Sequence, residues 1–387
     1  MNASSQPDFD EVTPSAMVLP AIRRVDEYAP APMRILFVTP SLGTGGAERL
    51  TVNSALSMLG RGHAVGVVFG FLDLQAGPLR DAGVELYERV GAVPGLTNLV
   101  PWVGHVRRAV RDFRPDVIYA QSVTTALVAR LAAPRLPLLA TVHGISHTDE
   151  RVASLLFRAA KVRLTAVSEA TAAGLRRYPW ASPVEVLSPG VDSDQVRAQS
   201  HLVEQPIEAI GSPSLCVVAR QQPEKGVDVL LRALPAVARE LPDVGLTVVG
   251  MGDQLESNVA LAAELGIADR VWFVGMVPNA APYMAAADVV ILPSRREGLP
   301  VTVLEALALN RPVVATRVGG TPTVIVPGET GWLAEPENEE SLAAAIVACC
   351  ADPAEAARRA AAGRAVVEER FGDRPMHDRI EALLGEI

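Results

Sequence analysis

Lysine is nearly missing from this chain: of 35 basic residues in 387, only Lys161 and Lys225 are lysines. Cysteine is almost as scarce. Cys216, Cys349 and Cys350 offer neither a disulfide framework nor a metal-ligand spacing, which fits a reducing cytoplasm. No uninterrupted apolar run is long enough to cross a bilayer. Residues 1–32 hold acids and scattered prolines but no apolar stretch behind a basic start, so they read as a loose tail and not a signal peptide. A surplus of positive charge is lacking too. The formal net charge is −9, which argues against bulk nucleic-acid binding.

What the chain does have is apolar residues, 49% against 20% charged, enough for sizeable cores and too many for a disordered or collagen-like polymer. At roughly 150 residues per domain the length predicts two domains. Charge is uneven: residues 1–32 sum to −3, 33–200 to +5 and 201–387 to −11. A basic first half and an acidic second half imply two units meeting different partners, with drift in surface composition as the competing reading.

Short apolar runs punctuate the first half at Met33–Thr39, Ala64–Phe71, Asp116–Tyr119, Leu138–Val142, Leu164–Val167 and Val184–Leu187. Helical spacing fills the gaps at Arg49–Leu59, Val100–Phe113, Ser122–Leu131, Arg151–Lys161 and Glu169–Arg177. Strands alternating with helices predict a parallel sheet covered on both faces. After Ser193–Ser214, polar and irregular enough to read as a linker, the same grammar restarts. Its strands are Leu215–Val218, Leu246–Val249, Val271–Val274, Val289–Leu292, Val313–Ala315 and Trp332–Leu333. Helices are predicted over 226–240, 254–265, 300–309, 339–350, Ala354–Phe371 and Pro375–Gly385. The expected fold class is therefore α/β, two doubly wound parallel-sheet domains facing each other, with ligand in the cleft at the strand carboxyl ends. The boundaries expected are a tail at 1–32, a first domain at 33–195 and a second at 196–372, with the terminal helix 373–387 packing back on the first.

Four stretches carry candidate chemistry. The first strand runs into Leu42-Gly43-Thr44-Gly45-Gly46-Ala47-Glu48, where glycines let backbone N–H groups approach a phosphate at a helix N-terminus. The spacing is not that of a dinucleotide site, and a tight turn without ligand is the rival reading. Strand 215–218 leads to Arg220 and, before the next helix, to Lys225. A guanidinium fork and an ammonium point charge suit a diphosphate; two solvated surface charges are the alternative. In Pro293-Ser294-Arg295-Arg296-Glu297-Gly298-Leu299-Pro300-Val301-Thr302-Val303-Leu304-Glu305, Pro300 fits the first helical position. The amides of Leu299, Val301 and Thr302 would then face the cleft. Glu297 stands before that helix and Glu305 about a turn and a half inside it, so the two carboxylates can bracket a ligand of nucleotide-sugar length, each accepting from vicinal hydroxyls. Thr141-Val142-His143-Gly144 ends another strand and turns His143 to the same cleft. Ser168 reads as a helix N-cap. His105, His147, His201 and His377 read as structural.

These motifs, taken in order, resemble a known family. GTGGAER, TVHG, VSEAT, SPGVD, VAR…EKG, VVGMGD, VWFVGMV and PSRREGLPVTVLEA…PVVATRVGG…GETGWL are similar to the retaining nucleotide-sugar glycosyltransferases of sequence family four, which have two facing Rossmann-like lobes, the GT-B architecture. The match runs from about Met33 to Phe371. The resemblance implies that His143, Glu297, Arg220 and Lys225 are the catalytic set. Arg220 and Lys225 hold the donor diphosphate, with Gly45, Gly46, Gly298, Leu299, Pro300 and Val301 assisting. Glu305 takes the ribose, Glu297 the transferred sugar, and backbone near Val274 and Met276 the base. Neither metal nor cofactor is implied beyond the nucleotide diphosphate sugar itself. Three positions depart from the family pattern: Asn310 where a glycine is usual, Thr323 where a glutamate is common, and Pro189 in place of the Asn of NGVD.

The expectation is a retaining hexosyltransferase of the cytoplasm using a UDP-sugar donor and a carbohydrate, lipid-linked or natural-product acceptor. Trp102–Arg114 has the basic amphipathic look of a helix lying on a membrane surface, against a rival reading in which it packs on its own sheet with arginines outward. Two other functions compete: a nucleotide-sugar epimerase on the same scaffold, and a catalytically silent nucleotide-sugar-binding partner.

Overall fold

Runs such as Arg34–Val38, apolar at every position after the first, have no polar face to offer water, so they form interior strands of a sheet covered on both sides. In the computed structural model, which describes residues 31–387 except 44, 71–74, 90–97, 144–153, 155–156, 159–161, 179–181, 203–206 and 208, two such sheets are built. The first contains β1 (Arg34–Val38), β2 (Ala64–Phe69), β3 (Glu85–Glu88), β4 (Val117–Ala120), β5 (Leu138–Val142), β6 (Arg163–Ala166) and β7 (Val184–Val186), in the order β3-β2-β1-β4-β5-β6-β7. The second contains β8 (Ser214–Val218), β9 (Gly245–Val249), β10 (Val271–Gly275), β11 (Val289–Leu292), β12 (Val313–Thr316) and β13 (Trp332–Ala334), in the order β10-β9-β8-β11-β12-β13. Every pairing in both is parallel. Each sheet reverses winding direction beside its first strand, at β1/β4 and at β8/β11, and a reversal opens a crevice at the carboxyl ends.

The described helices are α1 (Gly46–Gly60), α2 (Ala76–Asp81), α3 (Leu99–Phe113), α4 (Val123–Ala132), α5 (Glu169–Arg176), α6 (Ser193–Ser200), α7 (Val227–Glu240), α8 (Leu255–Glu264), α9 (Ala281–Ala286), α10 (Val301–Ala308), α11 (Glu339–Ala351), α12 (Pro353–Arg370) and α13 (Asp373–Gly385). Ser168 caps α5, its hydroxyl accepting from the Thr171 amide at 3.2 Å. Asn310 adopts φ +57° after α10, the left-handed turn a short amide side chain tolerates.

Several elements depart from the sequence reading. The stretch expected as a linker begins with α6, which Asp192 caps by accepting from the Gln195 amide at 2.9 Å. Only Val196 of that helix is buried, so no apolar period announced it. Strand β3, α2 and α9 are also additional. β3 is an edge strand that begins and ends on exposed glutamates, and α2 and α9 span only six residues each. The predicted helix Arg151–Lys161 and the tail 1–32 fall largely outside the described residues.

Helix α3 buries Trp102, Val106, Ala109 and Phe113 against the first sheet and points Arg107, Arg108 and Arg111 outward, so its apolar stripe is used by the protein's own core. No helix among the described residues is long and apolar enough to cross a membrane.

Pro32–Ile387 form one compact unit. A single cluster of buried apolar side chains joins Ile35 and Phe37 of the first sheet to Cys216 and Leu292 of the second, by way of Val191, Phe371 and Met376. The chain passes between the sheets twice, and the two passages touch. Val191 donates its amide to the Phe371 carbonyl at 2.8 Å. A Cβ on Gly190 would meet the Gly372 carbonyl at 2.3 Å, so only glycine permits the crossing. Helix α13 then returns to the first sheet's side. Arg61 pairs there with Asp378 and Glu381, both at 2.7 Å, His63 meets Glu381 at 3.0 Å, and Arg379 meets Glu185 at 2.8 Å.

Candidate active site

The carboxyl ends of β1, β5, β8 and β11 surround a cavity of about 640 Å³. Two helix N-termini face it. Helix α1 starts at Gly46, three residues earlier than its apolar pattern suggests, and its N-cap is Gly45, which lends no side-chain bond. Helix α10 is likewise uncapped by any side chain. Pro300, expected as the first helical residue, is the N-cap instead, in extended conformation, and the helix begins at Val301. The positive end of α10 is therefore open to an anion. The Glu48 carboxylate instead folds back over the start of α1, where a Cβ on Gly45 would meet it at 2.2 Å. The two helix starts also approach each other: a Cβ on Gly46 would lie 3.2 Å from the Val301 side chain.

Lys225 is fixed by the loop after β8, where Gly226 takes φ +64° and a Cβ would strike the Pro293 carbonyl at 2.2 Å. Its Nζ donates to Glu297 Oε1 at 2.8 Å, and Ser294 Oγ donates to the same oxygen at 2.7 Å. Glu297 Oε2 has no hydrogen-bond partner among the described residues. Arg220, exposed at the mouth, likewise has no side-chain partner among the described residues.

Glu305 is 6% exposed and forms an ion pair with Arg49, which projects from α1 on the other side of the cleft. Burial pushes its carboxyl above the usual carboxylate range, and the Arg49 guanidinium only partly offsets that. His143 donates from Nε2 to Gln121 Oε1 at 3.1 Å. Burial pushes its imidazole down to about 4, against a smaller upward pull from Glu48.

Gly45, Gly46, His143, Arg220, Lys225, Met276, Glu297, Gly298, Leu299, Pro300, Val301 and Glu305 all line this cavity. Val274 does not. It packs into the core from β10, and the wall beside Met276 is made by Val277 and Ala280 instead. The loop that carries Met276 leaves the strand through Gly275 at φ +80°, a turn that the apolar run alone does not announce. The Arg295-Arg296 pair divides. Arg295 forks onto Asp228 with two bonds of 2.8 Å and reaches Glu337 at 3.0 Å, so it secures the start of α7; Arg296 lines the cavity. Thr323 is exposed and donates its hydroxyl to the Gly320 carbonyl at 2.6 Å, while Pro189 lines the cavity.

Sequence reasoning passed over Glu48, Arg49 and Gln121. Glu48 and Arg49 stand in the GGAER stretch itself, and their signal was the charge following the glycines. Gln121, directly after an apolar strand, gave none. Among the described residues no group of three or more His, Cys, Asp or Glu side chains is arranged to hold a metal ion.

Comparison with known proteins agrees with this arrangement. Residues 44–195 match the family described as Glycosyltransferase Family 4, and residues 212–352 match Glycosyl transferases group 1. The chain belongs to the family-four, group 1 glycosyltransferases.

Its two facing parallel sheets are the GT-B architecture of such glycosyltransferases. Anabaena HepE, solved in complex with UDP and glucose, superposes with a TM-score of 0.76 at 25% identity, covering 92% of this chain and 100% of that one. A GDP-mannose-dependent alpha-(1-6)-phosphatidylinositol monomannoside mannosyltransferase of Mycolicibacterium smegmatis is 35% identical over 196 residues, 48% of this chain. The chain spans about half the length of that relative, 51%. A D-inositol 3-phosphate glycosyltransferase of Rhodococcus opacus is 29% identical over 369 residues, 82% of this chain and 81% of the relative.

Proposed function

We propose that this glycosyltransferase moves a hexosyl group from a nucleoside diphosphate sugar to a hydroxyl acceptor, with retention at the anomeric carbon and with no metal or further cofactor. The observation that carries the reading is one cavity lined by Arg220, whose side chain has no partner among the described residues, the Lys225–Glu297 pair and the uncapped start of α10, with Glu305 one turn deeper. Arg220 and Lys225 would grip the diphosphate. As the sugar bond lengthens, charge grows on the departing phosphate, and fixed cations together with a helix N-terminus stabilise that charge without reorganising. Glu297 Oε2 accepts from a sugar hydroxyl, Glu305 from the ribose, and the base lies toward Met276. The stretch 196–372 then acts as the donor lobe and 33–195 as the acceptor lobe.

UDP is the first donor to test, supported by the HepE complex with UDP and glucose. GDP-mannose is the second, supported by the mannosyltransferase relative. The acceptor is a carbohydrate, an inositol-containing lipid or phosphate, or a small-molecule hydroxyl. A thermal-shift and slow-hydrolysis panel of UDP-glucose, UDP-N-acetylglucosamine and GDP-mannose decides the donor. A ligand at a hundred times its Kd raises stability by about 2.7 kcal/mol. Turnover without acceptor that leaves the nucleotide attached would point to an epimerase, and binding without turnover under any acceptor would point to a silent partner. The anomeric proton coupling of the first product checks retention.

A further inference from the structure

His143 borders two cavities at once: the donor cavity and a second, of about 20 Å³, also lined by Ser54, Tyr119, Gln121 and Thr141. Among the described residues its one side-chain bond is to Gln121, and that bond runs from Nε2 to the amide oxygen. An amide oxygen can only accept, so the Nε2 nitrogen is the one that holds the proton. Gln121 is 6% exposed at the end of β4, where its backbone amide donates to the Val38 carbonyl at 2.9 Å. The side chain therefore has little room to swing. Its own Nε2 is buried beside the Tyr119 hydroxyl, so the amide is held between that hydroxyl and the histidine. Behind it a buried chain of hydroxyls, Tyr119 to Thr141 at 2.7 Å and Thr141 to Thr165 at 2.7 Å, stiffens the same corner.

We propose that Gln121 is a positioning residue that fixes the His143 tautomer, keeping the proton on Nε2 and leaving the Nδ1 lone pair as a hydrogen-bond acceptor for a substrate hydroxyl. A histidine so held can take a hydroxyl's hydrogen bond but cannot donate one, which selects an oriented –OH over a carbonyl or phosphate oxygen at that spot. Among the described residues the charged group that acts on the ring is Glu48 of α1, whose carboxylate disfavours an anion there as well.

The test uses the full chain carrying ¹⁵N-histidine, with the Gln121→Leu and Gln121→Glu variants. Nitrogen–proton correlation spectra of the wild type should show His143 as the Nε2–H tautomer. Gln121→Leu should give a mixture of tautomers, and transfer should fall roughly tenfold in kcat with donor KM held within about twofold. Gln121→Glu keeps an acceptor in the same place. It should retain the Nε2–H signature and move the acidic limb of the pH–rate profile upward by about a unit, because a carboxylate favours the charged imidazole. The proposal is overturned by an Nδ1–H signature in the wild type, or by spectra of Gln121→Leu identical to it. Only the kinetic arm rests on the transferase reading. The spectra need no substrate, so a failed assay with the expected tautomer would count against that reading and not against this one.

Discussion

Arg49 and Glu305, 256 residues apart in sequence, form an ion pair across the cleft. The carboxylate proposed to hold the donor's ribose is thus already paired with a cation from α1, across the cleft. Donor must displace that guanidinium or share it.

Displacement costs the worth of the pair. Arg49→Ala should therefore tighten UDP or GDP binding, by up to about fivefold for a partly exposed pair. Isothermal titration reads this directly. Weaker binding would mean that Arg49 contacts the nucleotide itself.

Glu305 also links binding to stability. Its pKa is raised by burial, so its neutral form is favoured in the folded state. The stability this gives is full below the ordinary glutamate range and is lost as pH rises through the folded value. Glu305→Gln should thus melt higher than wild type at pH 7 but not at pH 4, since Arg49, 28% exposed, can hydrate when left alone. Its nucleotide affinity should fall at least tenfold. Equal melting differences at both pH values would contradict the burial argument.

Acid should act on the other wall. The His143 pKa is held near 4, below the ordinary 6.5, so the unfolded chain takes up a proton that the folded chain refuses. Stability is then present above pH 6.5 and drains away as pH falls toward 4. Melting curves of His143→Asn should lose part of that slope; an unchanged slope would show that the ring protonates freely in the folded state.

Arg220 makes no side-chain bond among the described residues and is exposed, so Arg220→Ala should leave the melting temperature where it is. Donor binding should weaken by about 1.5–3 kcal/mol, the usual worth of a hydrogen bond to a charged group. A drop in stability without a change in donor Kd would remove it from the diphosphate site.

Gly298 tests how tightly the two sides of the cleft are fitted. An added Cβ would stand 1.9 Å from the His143 carbonyl oxygen, and one on Gly319, at φ +51°, would stand 1.8 Å from that of Glu297. Backbone cannot yield as a flexible side chain can. Gly298→Ala should lower the melting temperature by several degrees and reduce transfer about a hundredfold, since small misplacements of reacting groups carry such penalties. The control Gly60→Ala, with open space around its Cβ, should do neither.

Amino-acid order alone specifies the repeated strand–helix grammar and the residues at each strand's carboxyl end. Interior parallel strands must be continuously apolar, and glycine, proline and charge then have nowhere to collect but the turns that follow. Hence Lys225, Glu297 and His143 are legible in the sequence as cleft residues. The short edge element Glu85–Glu88 and the polar helix Ser193–Ser200 were not, because their surfaces face water and carry no period. Tertiary structure alone decided which charges are spoken for. Arg295 and Arg296 are neighbours in the chain, yet one is locked onto Asp228 and the other lines the cavity. Val274 and Val277 differ by three positions, yet only the second meets the cavity, since a strand end and a left-handed glycine lie between them. The Arg49–Glu305 and Gln121–His143 contacts join residues from separate strand–helix units, and no local pattern records a partner that the chain reaches only by folding.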